Sequence, residues 1–494
     1  MPGRLALLAP LLLALACEEK PPGRKLASGM ARVLTAGAGA VAFIVDAAHP
    51  DDRGVPDDLL SGDLWAAPLD GPARKIGAGV STQTGSFAFA PKGDEIAFLA
   101  AWRFRAGEGE LWTASAGAGP VQIAPAASAF AWSPVEPALA FAAPGRLGLR
   151  RGRESLSVPI EGLQAIGWSP DGKRVAARAS AAAGGKLWLI DAASGAKREV
   201  APGTSDFAFA PDGALAALGP PAPKGGDRPL LLEGKDVARA TAFAFSPDGR
   251  DLALLSTARQ PGEATGELYR LRRGGEPRLV GQKVSDWRFD ASGDLLFLAR
   301  YDLRARAGVL TVAPPEGAAR EIASKVQGFM AQGPRVLYLV QAPQKGDFKI
   351  ELWAAELESA TPPRKIDEGV YGWQVSRDGA TLYYKARCAG GPRSCSLLRQ
   401  PLLEAGPPTF LAAYLAGFNL SADGSRILVQ QPHRGSTRAV DLAVIPATGV
   451  PPERLKVLVE EADPGSRFAD AQGKRLLFAT LAAGKAGVYV VEVR

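Results

Sequence analysis

The chain has 494 residues, of which 57 are glycine and 40 proline, with three cysteines and two histidines. That density of helix breakers excludes a helical bundle and suits an all-β chain with many turns, while 47% apolar and 22% charged residues exclude a disordered or collagenous one. The formal charge of +7 is spread along the chain, without the basic runs and interleaved aromatics of a nucleic-acid stripe, so no nucleic-acid partner is expected.

The N-terminus reads MPGRLALLAPLLLALAC. Arg4 supplies a positive start, and twelve apolar residues follow, Leu5 to Ala16, too few to span a bilayer core of about 30 Å. Leu13-Ala14-Leu15-Ala16-Cys17 resembles the lipobox of bacterial lipoproteins, although Ala14 stands where that family more commonly has Leu. The resemblance implies removal of residues 1–16 and lipidation of Cys17. It also implies a cell-envelope location, and Glu18 in place of the Asp that signals inner-membrane retention favours the outer membrane, facing the periplasm. Residues 17–31 then read as a charged, Pro- and Gly-containing tether.

A repeated unit occupies the rest. It is clearest at Ile166-Gly167-Trp168-Ser169-Pro170-Asp171-Gly172, followed by KRVAARA, KLWLID and KREVA. Phe243-Ala244-Phe245-Ser246-Pro247-Asp248-Gly249 and Phe207-Ala208-Phe209-Ala210-Pro211-Asp212-Gly213 repeat the order. Looser copies turn near Gly93, Glu136, Gly293, Gly333, Gly379, Gly424 and Gly473. The nine intervals from 93 to 473 average about 42 residues, the length of a four-stranded propeller blade. In the Ser-Pro-Asp-Gly form Pro fixes φ and Gly permits positive φ, so an apolar strand, a tight turn and a second strand follow from residue types alone. A third strand carries Leu64-Trp65, Leu111-Trp112, Leu187-Trp188, Leu268-Tyr269 or Leu352-Trp353, and a short fourth ends the unit.

This unit resembles the WD40-like Pro-Asp (PD40) repeat of the TolB-type β-propeller family. The likeness covers about residues 32–494, is strongest at 165–200 and 240–275, and is weakest in the last four units. It implies an all-β propeller and contact with envelope complexes, and it identifies no partner. With residues 32–78 as a further unit, about eleven blades are expected, more than the usual four to eight per ring. Two rings, residues 32–240 and 241–494, are the preferred reading. One oversized ring is the alternative, because the last unit stops after VYVVEV and an upstream strand, RVLTAG for instance, could complete it.

Catalytic inventory is thin. His49 and His433 lie in expected loops, no G-x-S-x-G elbow is present, and no cofactor is called for. The acidic stretch Asp46, Asp51, Asp52, Asp57, Asp58 and Asp63 lacks a D-x-D-x-D-G spacing and reads as a solvated loop rather than a metal site. Asp171, Asp212, Asp248, Asp378 and Asp423 belong to repeat turns, and the tryptophans of the Leu-Trp pairs to blade packing. Cys388 and Cys395 flank a turn-like AGGPRS segment and are expected to form a disulfide in an oxidising compartment. Long insertions at 47–62, 101–110, 219–228, 341–349 and 386–395 mostly join second to third strands, where loops project from one end of a propeller. Among them Trp102, Arg103, Phe104 and Arg105 offer an aromatic and cationic contact. The expected function is a non-catalytic protein-binding or scaffold module in the envelope, not an enzyme. A glycan lyase or hydrolase using carboxylates in the channel, and a small-ligand or sugar sensor, are the alternatives.

Overall fold

A computed structural model describes residues 21–37, 39–49, 56, 59–115, 118–180, 185–220, 226–257, 265–343, 348–359, 361–389, 391–402, 404, 406–482 and 484–493. Cys17 and the leader lie outside the described residues, within which there is no helix.

The repeat becomes a set of antiparallel meanders. Blade 1 consists of Ala31–Ala36, Ala40–Ala48, Ser61–Pro68 and Arg74–Ser81, paired in that order. Nine more blades follow at 87–127, 129–159, 163–201, 206–240, 242–284, 287–326, 326–368, 372–415 and 417–462. Blades 7 and 8 share the long strand Arg320–Gln332, and Lys325 at φ 59° marks where the outer strand of one becomes the inner strand of the next.

Blade 11 closes the circle. It contains Arg467–Phe468, Arg475–Thr480 and Gly487–Glu492, and its fourth strand is Arg24–Ser28 from the N-terminus. This strand runs antiparallel to Gly487–Glu492, with Arg24 opposite Val490 and Ser28 opposite Gly487. Two expectations are thereby corrected. The completing strand is RKLAS, not RVLTAG, because Ala31–Ala36 is already the first strand of blade 1. Residues 24–28 are also no tether, since Leu26 and Ala27 are buried.

The core has the same cyclic order. Eleven clusters of buried side chains each join two consecutive blades. One unites blades 1 and 2 through Ile44, Leu64, Ile96 and Phe98, and the series continues to Leu428 and Phe478 between blades 10 and 11. The eleventh joins Val41 and Phe43 of blade 1 to Leu477 and Val488 of blade 11. This adjacency is that of the single-ring alternative. The expected division at residue 240 coincides with a blade border, and the core runs across it from Leu230 and Ala240 to Leu252 and Leu254.

Being sandwiched between neighbours explains the burial. The second strands are covered on both faces, so Ala138–Ala143 is buried throughout instead of alternating. First strands, such as Ala129–Trp132, are half-buried along their length and face the channel. Consecutive inner strands are stitched there by indoles: Trp132 donates to the Ala88 carbonyl at 3.1 Å and Trp168 to Ala131 at 3.0 Å. At the rim, Arg278 donates to the Gly317 carbonyl at 2.7 Å and Arg364 to Leu402 at 2.9 Å. Arg320 reaches Leu357, and Arg24 reaches Leu69 at 2.6 Å, from the same opening position of their outer strands. Each guanidinium satisfies carbonyls left over in the third-to-fourth turn of the next blade.

Candidate functional site

An antiparallel meander puts its first and third connections at one end and its second at the other. The ring therefore has a turn face and a loop face.

The turn face is built from the repeat motif. In blade 4, Ser169 Oγ donates to Asp171 Oδ1 at 2.6 Å and accepts from the Arg174 N–H at 2.9 Å, while Asp171 also accepts from the Lys173 N–H at 3.1 Å. Ser246 with Asp248, Ser376 with Asp378 and Ser421 with Asp423 repeat the arrangement. The hydroxyl bonds hold the Asp171, Asp248 and Asp378 carboxyls below their ordinary range, and the Ser425 N–H leads the same effect at Asp423. Asp212 accepts from the Ala214 N–H at 3.1 Å. These acids brace turns on separate blades. Asp294 moves the other way, pushed up by burial and then by the neighbouring Asp290.

The Leu-Trp pairs pack as expected. Leu64, Leu111, Leu187, Leu268 and Leu352 are fully buried. Trp112 and Trp353 each donate to a glutamate two residues earlier, Glu110 and Glu351, at 3.0 Å. These indoles lie between blades and form no exposed aromatic row.

All five long insertions join second to third strands, so they leave the blades at the loop face. Trp102 lies over blade 2 and meets Phe104 edge-on, ring centroids 6.5 Å apart. Arg103 pairs with Glu108 at 2.6 Å across the hairpin, and Arg103 and Arg105 are exposed. Cys388 and Cys395 form a disulfide. Beneath its loop, the buried Lys385 ammonium donates to Ala416 O at 2.6 Å and Pro392 O at 3.3 Å, and burial lowers its pKa. His433 Nδ1 lies 2.7 Å from Asp441 Oδ1 and its Nε2 4.0 Å from Glu461. His49 is exposed near the end of Ala40–Ala48. Asp46 accepts from the Met30 N–H at 3.1 Å and Asp63 pairs with Lys75 at 2.6 Å, while Asp51, Asp52, Asp57 and Asp58 lie outside the described residues. Among the described residues no three His, Cys, Asp or Glu side chains come together as a metal site.

A cleft of about 670 Å³ opens on this face where blades 9, 10, 11 and 1 meet. Met30, Arg32, Arg393, Arg438, Glu461 and Asp463 contribute to its walls. Arg393, projected by the disulfide loop, donates to the Thr437 carbonyl of the next blade. Arg32 and Arg438 are exposed, and Met30 is an exposed apolar side chain at the rim. The cleft can hold a mixed charged and apolar segment, with guanidinium donors and carboxylate acceptors in one mouth. Sequence reading did not find it, because its residues come from opposite ends of the chain and only ring closure unites them.

The fold defines the class: an eleven-bladed β-propeller. No protein-family model matches the chain, and no curated protein matches it. Among solved structures, a eukaryotic initiation factor is similar at 12% identity over 75% of this chain and 97% of its own, with a TM-score of 0.42. Tricorn protease is similar at 14% identity over 91% of this chain and 46% of its own, TM-score 0.28. Pyrococcus horikoshii acylaminoacyl peptidase is similar at 14% identity over 61% and 56%, TM-score 0.26. The chain thus spans about half the length of the two peptidases. The propeller assignment rests on the strand order and the cyclic core.

Proposed function

We propose that the protein is a cell-envelope lipoprotein, anchored through Cys17 in the outer membrane, whose TolB-like propeller holds a protein partner without covalent chemistry. The observation that carries this reading is the asymmetry of the two faces. The turn face is spent on self-bonding Ser-Asp turns, whereas the loop face collects the long connections and the charged cleft at its closing seam. Connections of this kind, positioned by a rigid scaffold, are where repeat proteins bind. The leader, the Cys17 motif and the PD40 repeat support the envelope setting.

Site-specific photocrosslinking in intact envelopes tests the reading. Crosslinkers at Arg105 and Gly435 on the loop face should trap a common protein, and crosslinkers at Gly93 and Arg250 on the turn face should not. Absence of any reproducible loop-face adduct would overturn the binding role.

A further inference from the structure

The position of strand Arg24–Ser28 dictates which way the ring faces. Its first residue lies on the turn face, where the Arg24 guanidinium bonds the Leu69 and Gly71 carbonyls in the third-to-fourth turn of blade 1. Its other end lies on the loop face, where the Gly29 N–H meets the Ala486 carbonyl and the Met30 N–H meets Asp46. Backbone pairing to Gly487–Glu492 and the burial of Leu26 and Ala27 fix the strand in place, so the exit point cannot wander around the rim.

Between Cys17 and Arg24 lie six residues, Glu18 to Gly23, including Pro21-Pro22. Fully extended, the seven steps from Cys17 to Arg24 reach about 24 Å. A lipid on Cys17 therefore holds the bilayer surface within that distance of the turn-face end of the strand. To bring the loop face down, the same six residues would have to climb back past a five-residue strand, about 17 Å, and then past the loops beyond it. They are too short. Along the edge of that face seven of the eleven outer strands begin with Arg or Lys (Arg24, Arg74, Lys197, Lys235, Arg278, Arg320, Arg364) and one with Glu, Glu154, while the carboxylates of Asp171, Asp212, Asp248, Asp378 and Asp423 lie in the inner turns and are tied up by local hydrogen bonds. Basic residues near a bilayer are attracted to anionic headgroups.

We infer that the propeller rests with its turn face against an anionic lipid surface and presents its loop face and cleft away from the membrane. This inference rests on the lipid-anchor reading above, and the test separates the two. The acylated full-length protein is placed in vesicles of phosphatidylethanolamine and phosphatidylglycerol carrying a headgroup quencher. Native Cys17 is acylated and Cys388–Cys395 is oxidised, so one introduced thiol takes the fluorophore. Labels are placed at Arg250→Cys in the turn of blade 6 and at Ala305→Cys in the loop of blade 7, both across the ring from the anchor. Quenching at position 250 should exceed that at 305 several-fold. Equal or reversed quenching on vesicle-bound protein overturns the orientation while leaving the anchor intact, and an edge-on ring gives that equal result. If Cys17→Ala binds vesicles as well as the native chain, the anchor reading itself fails and the orientation falls with it.

Discussion

Arg270 and Asp251 face each other across blade 6, guanidinium Nη2 2.6 Å from carboxylate Oδ2, and each side chain is only 4% exposed. Arg270 spends its other donors on the Ala313 carbonyl at 3.0 Å and the Gly293 carbonyl at 2.8 Å, both in blade 7. The pair is thus a bolt between blades. Arg270→Ala leaves a buried carboxylate and two orphaned carbonyls. Breaking such a pair costs about 3–5 kcal/mol, with Arg272 at 3.2 Å from Asp251 easing part of it. Urea unfolding should show the loss, and an Asp251→Leu/Arg270→Met double variant should recover the share due to the unpaired carboxylate, while the Ala313 and Gly293 carbonyls stay unmet. A double variant no better than the single one would contradict the bolt.

Gly172 gives a steric test of blade spacing. It sits at φ 68°, and a Cβ there would lie 2.4 Å from Val135 Cγ2 in the turn of blade 3. Gly249, at φ 71°, has its nearest neighbour at 3.3 Å. Both Gly→Ala variants bear the left-handed backbone penalty of about 1 kcal/mol, and Gly172→Ala adds the clash, for roughly 2–3 kcal/mol in all. Melting temperatures should rank wild type above Gly249→Ala above Gly172→Ala.

Those glycines also show what was legible. The period of about 42 residues could be read because three turns carry Pro, Asp and Gly at fixed offsets and most of the others keep the Gly. The closing strand was equally written in the chain: RKLAS at 24–28 has the pattern of the outer strands RKIGA at 74 and RKIDE at 364. Its Pro-Gly-rich approach gave it the look of a tether. The second strands show no period of two in burial, since Phe141 and Ala142 are both buried once neighbouring blades cover both faces. The cleft had no local signature at all, because Arg32 and Arg438 approach only through closure.

Acid should weaken the fold through the turns. Asp171, Asp248 and Asp423 have folded pKa values lowered by hydrogen bonds to Ser and backbone N–H groups. Their contribution is present above the ordinary carboxylate range, near about pH 4, and is lost as pH falls through the lower folded values. Stability measured by urea midpoint should therefore fall below about pH 4, and combined Asp→Asn replacement at these turns should flatten that slope. An unchanged slope would remove the turns as its source.

The disulfide should hold the Arg393 contact. In the chain-entropy account, closing a loop this short stabilises by roughly 2–3 kcal/mol. A Cys388→Ser/Cys395→Ser variant should melt lower and gain hydrogen exchange in 388–395 and in 433–438, the segment that Arg393 bonds. Exchange confined to 388–395 would show that the loop does not brace blade 10.

One closed ring predicts a solution shape. Small-angle scattering of the soluble chain should fit a single disc with a central hole. A two-lobed profile would contradict the cyclic core. Leu26→Asp, which places a charge in the seam, should broaden the profile and expose blade 11 to protease.

The seam has a consequence for the order of events in the chain's life. Asp70 and Arg475, 405 residues apart, meet at 2.5 Å beside it. Among the described residues, the first strand, Arg24–Ser28, pairs with the last, Gly487–Glu492. Until residues 487–492 emerge, RKLAS has no ladder, and blade 1 has only one neighbour. Loop closure over that separation costs about 5 kcal/mol in chain entropy, so the final latch competes with a nearly complete, open arc. The last ladder of the ring therefore waits on residues 487–492, however early the other blades pair.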